Sequence, residues 1–420
     1  MIARAQCDSA WDAREVASDR SRAAGHDWSV YRLSPNVVRL GFVSLLTAMS
    51  SAMVYGLLPV FLVNSLGVTT ASVGLIEGIA EATTSFVKVI SGAMSDWTGR
   101  RKPLVVIGYT LSALNKLVFP LAGAASVVLI ARAVDRVGKG IRDAPRDAFL
   151  TDVTPAPIRG RGFGLRLAFY TVGFVLGPAA AIILMRLSGD DFRLVFWVAV
   201  IPAFLSIVAV AGIKELPWKH ADGPLRLAMR PGNLKLMPSS FWWAIAIAGL
   251  LSLARFSPAF LVLKANDIGV DATFVPVMLI VMHLVYSAVA YPFGILADRI
   301  DRRRQLIIGA AVLIAADLSL ASAGDIWLAA LGAGLWGLQM GVTQGLIAAT
   351  VADAAPDRLR GTAFGVYELA VGTAAFVAST GAGLLWMTRG AAAAYAVSAV
   401  IATLAAGLLL HRLRVYPRGF

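Results

Sequence analysis

The sequence predicts an all-α membrane protein, with twelve transmembrane helices arranged as two parallel, pseudo-symmetric six-helix bundles. Three observations carry this prediction. The 420 residues are 58% hydrophobic and only 15% charged, with a mean hydropathy of +0.73, whereas a soluble domain averages about a quarter charged residues. Eleven apolar runs have the length a bilayer crossing needs, roughly 20 residues. Two stretches also recur about halfway along the chain, at offsets of 201 and 202 residues, and a repeat of that size signals duplicated architecture.

The apolar runs fall at 37–63, 70–95, 104–124, 164–187, 193–213, 240–263, 273–297, 305–323, 326–350, 362–387 and 391–411. A twelfth span is required at 126–150 by the distribution of basic residues. "DWTGRRK" (96–102), "RGR" (159–161), the linker with Lys214, Lys219, Arg226, Arg230 and Lys235, "DRIDRRR" (298–304), "DRLR" (357–360) and the tail "HRLRVYPR" share one side only if 126–150 crosses. The opposite connections carry little beyond Arg186, Arg193, Lys264 and Arg389. By the positive-inside rule, both termini and the linker are then cytoplasmic, and the chain is a multi-pass protein of the inner (cytoplasmic) membrane. The predicted organisation is a polar tail over 1–33, bundles over 34–213 and 239–412, a linker over 214–238 and a short tail over 413–420.

The formal charge of +13 is therefore topology, and no nucleic-acid partner is expected. Cys7 is the sole cysteine, so no internal disulfide forms. "VGKG" (137–140) lacks Ser or Thr after its lysine and follows no strand, so it is not a phosphate loop. No Cys or His cluster has metal-ligand spacing. The sequence calls for no cofactor and no enzyme.

The repeat confirms span four. "TDVTPAPIRGRGFG" (151–164) aligns with "ADAAPDRLRGTAFG" (352–365), and "GAMSDWTGRRK" (92–102) with "GILADRIDRRR" (294–304). Residues 131–150 then correspond to 332–351, "GAGLWGLQMGVTQGLIAATV", which is plainly apolar. Yet span four carries Arg132, Asp135, Arg136, Lys139, Arg142, Asp143, Arg146 and Asp147. At 100° per residue, all eight charges fall within an arc of about 140°. Turned to lipid they would cost roughly 20–28 kcal/mol, more than a typical folding stability of about 5–15 kcal/mol. That face must look into the protein or into water.

Span two offers partners. Glu77, Glu81 and Lys88 share one side with Thr84 and Ser91, and Asn115 and Lys116 interrupt span three. In the second half, Trp336, Met340, Thr343 and Gln344 stand where span four has Asp135, Lys139, Arg142 and Asp143, with Gln339 beside them. Two readings of the charges stay open. One is a lock between helices, with Asp135–Lys139 and Lys139–Asp143 as i,i+4 pairs; with Glu77, Glu81 and Lys88 the set nets +1. The other is a binding surface, the default for charge within a span. Arg and Lys in surplus favour a carboxylate, phosphate or phenolate on the substrate. Glu77, Glu81, Asp135, Asp143 and Glu368 are the candidates to carry a coupling proton. Arg255 and Glu368 are both membrane-embedded and either pair across a cavity or stay apart, Asp317 is expected to be interfacial, and His283 to be either packed or a proton carrier.

Twelve spans, two repeats and a doubled G-x-x-x-D-x-x-x-R-[RK]-[RK] connection resemble the major facilitator superfamily over about 37–412, within a subgroup of prokaryotic permeases. The motif residues are Gly92, Asp96, Gly99, Arg100, Arg101 and Lys102, and in the second copy Gly294, Asp298 and Arg302. The resemblance implies that they lock a cytoplasmic gate against the start of span eleven, near Gly361. It also implies a cavity lined largely by spans one, four, seven and ten. "GFVLGPAAA" resembles the family's antiporter signature through Gly173, Gly177 and Pro178, departing from it at Ala180 and Ala181. Arg132 with Gly138 and Gly140 loosely fits a further pattern of span four. The resemblance thus implies a secondary active transporter moving a small organic solute by alternating access, with proton-coupled efflux favoured. Proton-coupled uptake of an organic anion is the alternative, and a non-transporting receptor a third class. The expected partners are a small molecule, protons and lipid, with the chain acting as a monomer.

Overall fold

A chain crossing a water-free medium must satisfy its own backbone, and a helix does so within each segment. The computed structural model describes residues 34–155, 158–214, 234–297, 301–356 and 359–415. The tail 1–33, most of the linker, Asp298 and residues 416–420 lie outside the described residues.

The described helices follow the predicted spans. They are α1 (Pro35–Tyr55, continued by Leu58–Val60 and a wide helical turn Phe61–Ser65), α2 (Thr70–Thr98), α3 (Arg101–Asn115), α4 (Ala125–Asp152), α5 (Arg159–Ser188) and α6 (Phe192–Ala211). The second set is α7 (Ser239–Leu253, continued by Ala259–Asp267), α8 (Val277–Ala297), α9 (Arg302–Ser322), α10 (Ile326–Ala354), α11 (Arg360–Arg389) and α12 (Ala391–Val415). Eight spans are long and apolar enough to cross a membrane, and α7 and α8 supply two shorter apolar helices. The other two, α2 and α4, are 29 and 28 residues long, about 42 Å at 1.5 Å per residue. Length qualifies them, and only their charges set them apart.

Local chemistry fixes the ends. Side chains of Thr69, Asp191, Asp301 and Asp325 accept first-turn N–H groups of α2, α6, α9 and α10, donors that a helix leaves unsatisfied. Gly99 of the basic motif closes α2 at φ 64°, in the left-handed region where a side chain is strained. Two spans expected as continuous are broken: α1 at Gly56–Leu57, and α7 over residues 254–258, where Pro258 offers no N–H.

The repeat survives as geometry. Arg101 bonds Asp152 at 2.6 Å, and the equivalent Arg302 pairs with Asp353. Each pair ties a basic loop to the end of the fourth helix of its own half. At the far end of the molecule one hydrophobic core runs through both halves, with Leu57, Phe61 and Phe196 joined to Phe260, Met278 and Trp336. At the basic end the cores are separate: Val37, Leu40 and Phe149 in one half, Phe241, Val351 and Ala363 in the other. The halves therefore meet at the far end and part at the basic end. Asn64 and Asn266, equivalent at the 202-residue offset, bond each other's side-chain amide at the far end, at 3.1 and 3.5 Å.

The seam between halves runs along α2 and α11. A Cβ on Gly74 would lie 2.3 Å from the Ser379 carbonyl, and one on Gly383 2.6 Å from that of Thr70. Both clashes are with backbone, so no side chain can yield. Gly74→Ala is expected to lower stability by roughly 1–3 kcal/mol, the usual scale of overpacking. A melting curve of the purified variant matching the parent would contradict that seam.

Candidate functional site

The parted halves enclose a cavity of about 490 Å³. Its walls come from α1, α2, α4 and α5 in one half, with Tyr109 of α3, and from α7, α8, α10 and α11 in the other. It runs from Leu58 and Ala259 toward Arg146 and Arg166 at the basic end. Spans one, four, seven and ten line it, as expected, joined by five others.

The charged face of α4 makes one wall. Arg132 donates to both oxygens of Glu77 at 2.8 and 2.7 Å and lies 3.7 Å from the centre of the Tyr55 ring. Glu77 also accepts from Ser257 Oγ at 2.9 Å, so it binds α4 to the break in α7 across the two halves. The Ser257 N–H in turn donates to Ser379 of α11 at 3.1 Å. Arg136 pairs with Glu81 at 2.9 Å. Arg146 bonds Asp143 at 2.8 Å and Asp147 at 3.0 Å, with Arg166 3.8 Å from Asp147.

Two of the charges reach back to α3. Asp135 accepts from the Tyr55 hydroxyl and lies 3.3 Å from Lys116, which is 1% exposed. Arg142 donates to Ser112 at 2.6 Å and sits over the Tyr109 ring. Gly138 and Gly140 let α3 and α2 approach: added Cβ atoms would lie 2.6 Å from Ser112 Oγ and 2.7 Å from Val87. Both helices can then close around the charged face.

Several expectations are corrected. The pairs Asp135–Lys139 and Lys139–Asp143 do not form. Asp135 serves Lys116, whose buried ammonium has no other ion partner among the described residues, and Asp143 takes Arg146. Arg255 and Glu368 do not meet: Glu368 bonds Lys88 of α2, and Arg255 donates to Gln339 at 3.3 Å. Gln339 and Thr343 stand behind the wall, bonded to each other at 3.1 Å, while Trp336, Met340 and Gln344 line the cavity. Thr343 is turned toward α9, where its methyl fills the space beside Gly309. His283 stacks on Phe174 of the other half at 4.3 Å, with Nδ1 against the Leu279 carbonyl, so it is a packed residue. Asp317 is wholly buried, not interfacial.

The motif residues act within their own halves. Asp96 is largely exposed and takes Arg101 at 3.2 Å; Gly92 lies against Ala144 of α4. Arg100 and Lys102 flank that pair at the start of α3, and Gly294 has open space around it. Asp298 is outside the described residues. Among the described residues, neither Asp96 nor Arg101 bonds to α11, so the expected lock near Gly361 is not formed with the basic end open. Gly173 and Gly177 are contact points for α1, where Cβ atoms would lie 2.4 and 2.5 Å from backbone carbonyls, and Pro178 is buried beside them.

Sequence reasoning missed Tyr55, Ser257, Arg166, Tyr170 and Tyr286. Tyr55 and Ser257 do carry a signal, since each sits at the break of its span, beside Gly56 and Pro258. The lining holds seven cations (Arg132, Arg136, Lys139, Arg142, Arg146, Arg166 and Arg255) against four carboxylates (Glu77, Glu81, Asp135 and Asp143). Lys139 makes no hydrogen bond or ion pair among the described residues, and Arg255 no ion pair. Glu81 stands in the field of Arg136, Lys139, Arg132 and Arg255, one carboxylate among cations of both halves. No group of three His, Cys, Asp or Glu that could hold a metal occurs among the described residues.

Two repeated bundles of six helices, joined at one end around a polar cavity open at the other, give the architecture of a membrane transporter. The chain belongs to the Major Facilitator Superfamily, whose profile matches residues 40–263 and 241–419. An uncharacterized MFS-type transporter of Methanocaldococcus jannaschii is 33% identical over 360 residues, 84% of this chain and 89% of that one. Multidrug resistance protein MdtH of Edwardsiella ictaluri is 24% identical over 277 residues, covering 66% and 67%. The crystal structure of the nucleoside transporter NupG shares the fold at a TM-score of 0.75 and 12% identity, over 90% of this chain and 99% of that one.

Proposed function

We propose that this chain is a secondary active transporter that moves a small organic anion, coupled to protons, through the cavity by alternating access. The observation that carries the reading is the imbalance of the lining, seven cations to four carboxylates, with Lys139 and Arg255 unpaired on opposite halves. An anion bridging them would draw the halves together at the basic end. It would also compete with Glu81 for its cations, and a carboxylate that loses its cations takes up a proton. Anion and proton then favour each other's binding, as co-transport requires. Tyr55, Tyr170, Phe174 and Tyr286 give the cavity surfaces for an aromatic or apolar body beside the charge. The basic end is the cytoplasmic one in this reading, by the positive-inside rule, with both termini and the linker on that side of the inner membrane.

Export in exchange for protons is the second reading. It is favoured by Gly173, Gly177 and Pro178 and by the multidrug resistance relatives. Proteoliposomes with an imposed pH gradient separate the two. Under co-transport, an acidic exterior drives labelled organic anion inward; under exchange, an acidic interior does so. Anion flux indifferent to the gradient in both orientations would refute proton coupling.

A further inference from the structure

Asp317 lies well inside α9 and is 0% exposed, outside the cavity and away from the charged face of α4. Its Oδ2 is 2.6 Å from Ser398 Oγ of α12, and its Oδ1 has no partner. The same Ser398 oxygen is bonded to the carbonyl of Ala254, at the break in α7. That carbonyl is one the helix cannot satisfy, because the residue four positions on is Pro258, which has no N–H.

A serine hydroxyl carries one proton. The Ala254 carbonyl only accepts, so Ser398 must give its proton there. The bond between Ser398 and Asp317 must then run from the carboxyl to the hydroxyl, which requires the carboxyl to hold a proton. Burial agrees, because an ionised carboxylate without a partner is costly away from water. Among the described residues, the groups around it supply no cation. On α12, Tyr395 commits its hydroxyl to the Phe260 carbonyl at 3.0 Å. On α7, Arg255 turns into the cavity toward Gln339, and Lys264 pairs with Asp267 at 3.9 Å. On α10, Gln339 and Thr343 bond each other. No ion pair to Asp317 occurs among the described residues.

We propose that Asp317 is a proton-binding site of the C-terminal half, and that its proton holds the α7 hinge closed. The chain Asp317–Ser398–Ala254 ends one residue before Arg255, and residues 255–258 line the cavity, with Ser257 on Glu77. Occupancy at this site thus governs the segment that seals the far end. When α7 swings and Ala254 leaves Ser398, water reaches the carboxyl and takes its proton. Ser398 then turns its own proton toward the carboxylate left behind. The inference is independent of which solute the cavity takes.

The test uses the full chain in lipid with Cys7→Ser, the sole native cysteine being removed. Spin labels are placed at Leu187 and Trp327, both exposed at the far end on opposite halves. The distance between labels is expected to lengthen as pH is raised in the parent. In Asp317→Asn, whose amide donates to Ser398 as the acid does, it stays short at every pH. Infrared spectra of the parent at neutral pH should also show a protonated-carboxyl C=O band that Asp317→Asn removes and Ser398→Ala shifts. If that band is missing, or if Asp317→Asn follows the parent's pH response, the proposal fails. Should Asp317→Asn not fold, Ser398→Ala still decides, since a band it leaves unshifted overturns the chain of hydrogen bonds.

Discussion

Lys139→Met yields a protein that folds and inserts normally yet transports an organic anion about 10- to 100-fold less effectively, the equivalent of one lost charge-assisted contact of roughly 1.5–3 kcal/mol. The reason lies in what Lys139 lacks. Every other cation of the α4 face has a carboxylate, an oxygen or a ring beside it, while Lys139 faces the cavity without one. Lys139 is half-buried and makes no bond that holds the fold, so its removal should leave the melting temperature close to the parent's. Lost transport with retained stability marks a binding group that the fold does not need. Lys139→Arg should keep most of the activity, and a neutral analogue of the substrate should be insensitive to the change. Anion uptake that matches the parent would remove Lys139 from the binding surface, and the anion reading would lose its main support.

Lys116→Met is expected to do the opposite, destabilising the protein by about 3–5 kcal/mol, the scale for stripping one partner from a buried pair. Lys116 lies against the Tyr55 and Phe119 rings, 4.7 and 5.4 Å from their centres, and its one ion partner among the described residues is Asp135. Without it, Asp135 would remain inside the bundle bonded to the Tyr55 hydroxyl, with Arg136 and Arg142 near but not paired to it. Adding Asp135→Asn removes that stranded charge and keeps a group to accept from Tyr55, so the double variant should recover to within about 1 kcal/mol of the parent. Chemical denaturation of the four proteins closes the cycle. Transport by the double variant then decides between the two roles open for Asp135. Retained proton-driven flux makes it part of the lock alone, and lost flux with recovered stability makes it a coupling group.

The parts of this molecule that are periodic were legible in its sequence. Apolar run length gave the spans, the 201-residue offset reappears as the matched pairs Arg101–Asp152 and Arg302–Asp353, and of the eight α4 charges that the 100° rule puts on one face, seven line the cavity. Azimuth is a property of one helix. Partnership is not, and there the reading failed. Asp135 and Lys139 are neighbours by spacing, but Lys116, 19 positions earlier in the chain, comes closer through the packing of α3 on α4 at Gly108 and Gly138. The repeat puts Gln339 and Thr343 in the cavity only if α10 presents the same face as α4, and it does not. A modest rotation of the helix is enough to hide them. Asp317 looked interfacial from its position near the end of a span, since nothing local announces that Ser398 and a proline-orphaned carbonyl await it.

The amide pair of Asn64 and Asn266 has a meaning apart from transport. Two residues that occupy the same place in successive repeats here grip one another reciprocally, as an isologous contact does between identical subunits. A six-helix ancestor binding a copy of itself would have made this handshake from a single asparagine, before any fusion of genes. The two pieces freed by cutting between residues 215 and 233 would each carry one half of this matched contact, and separately encoded fragments are expected to copurify from the bilayer as one complex.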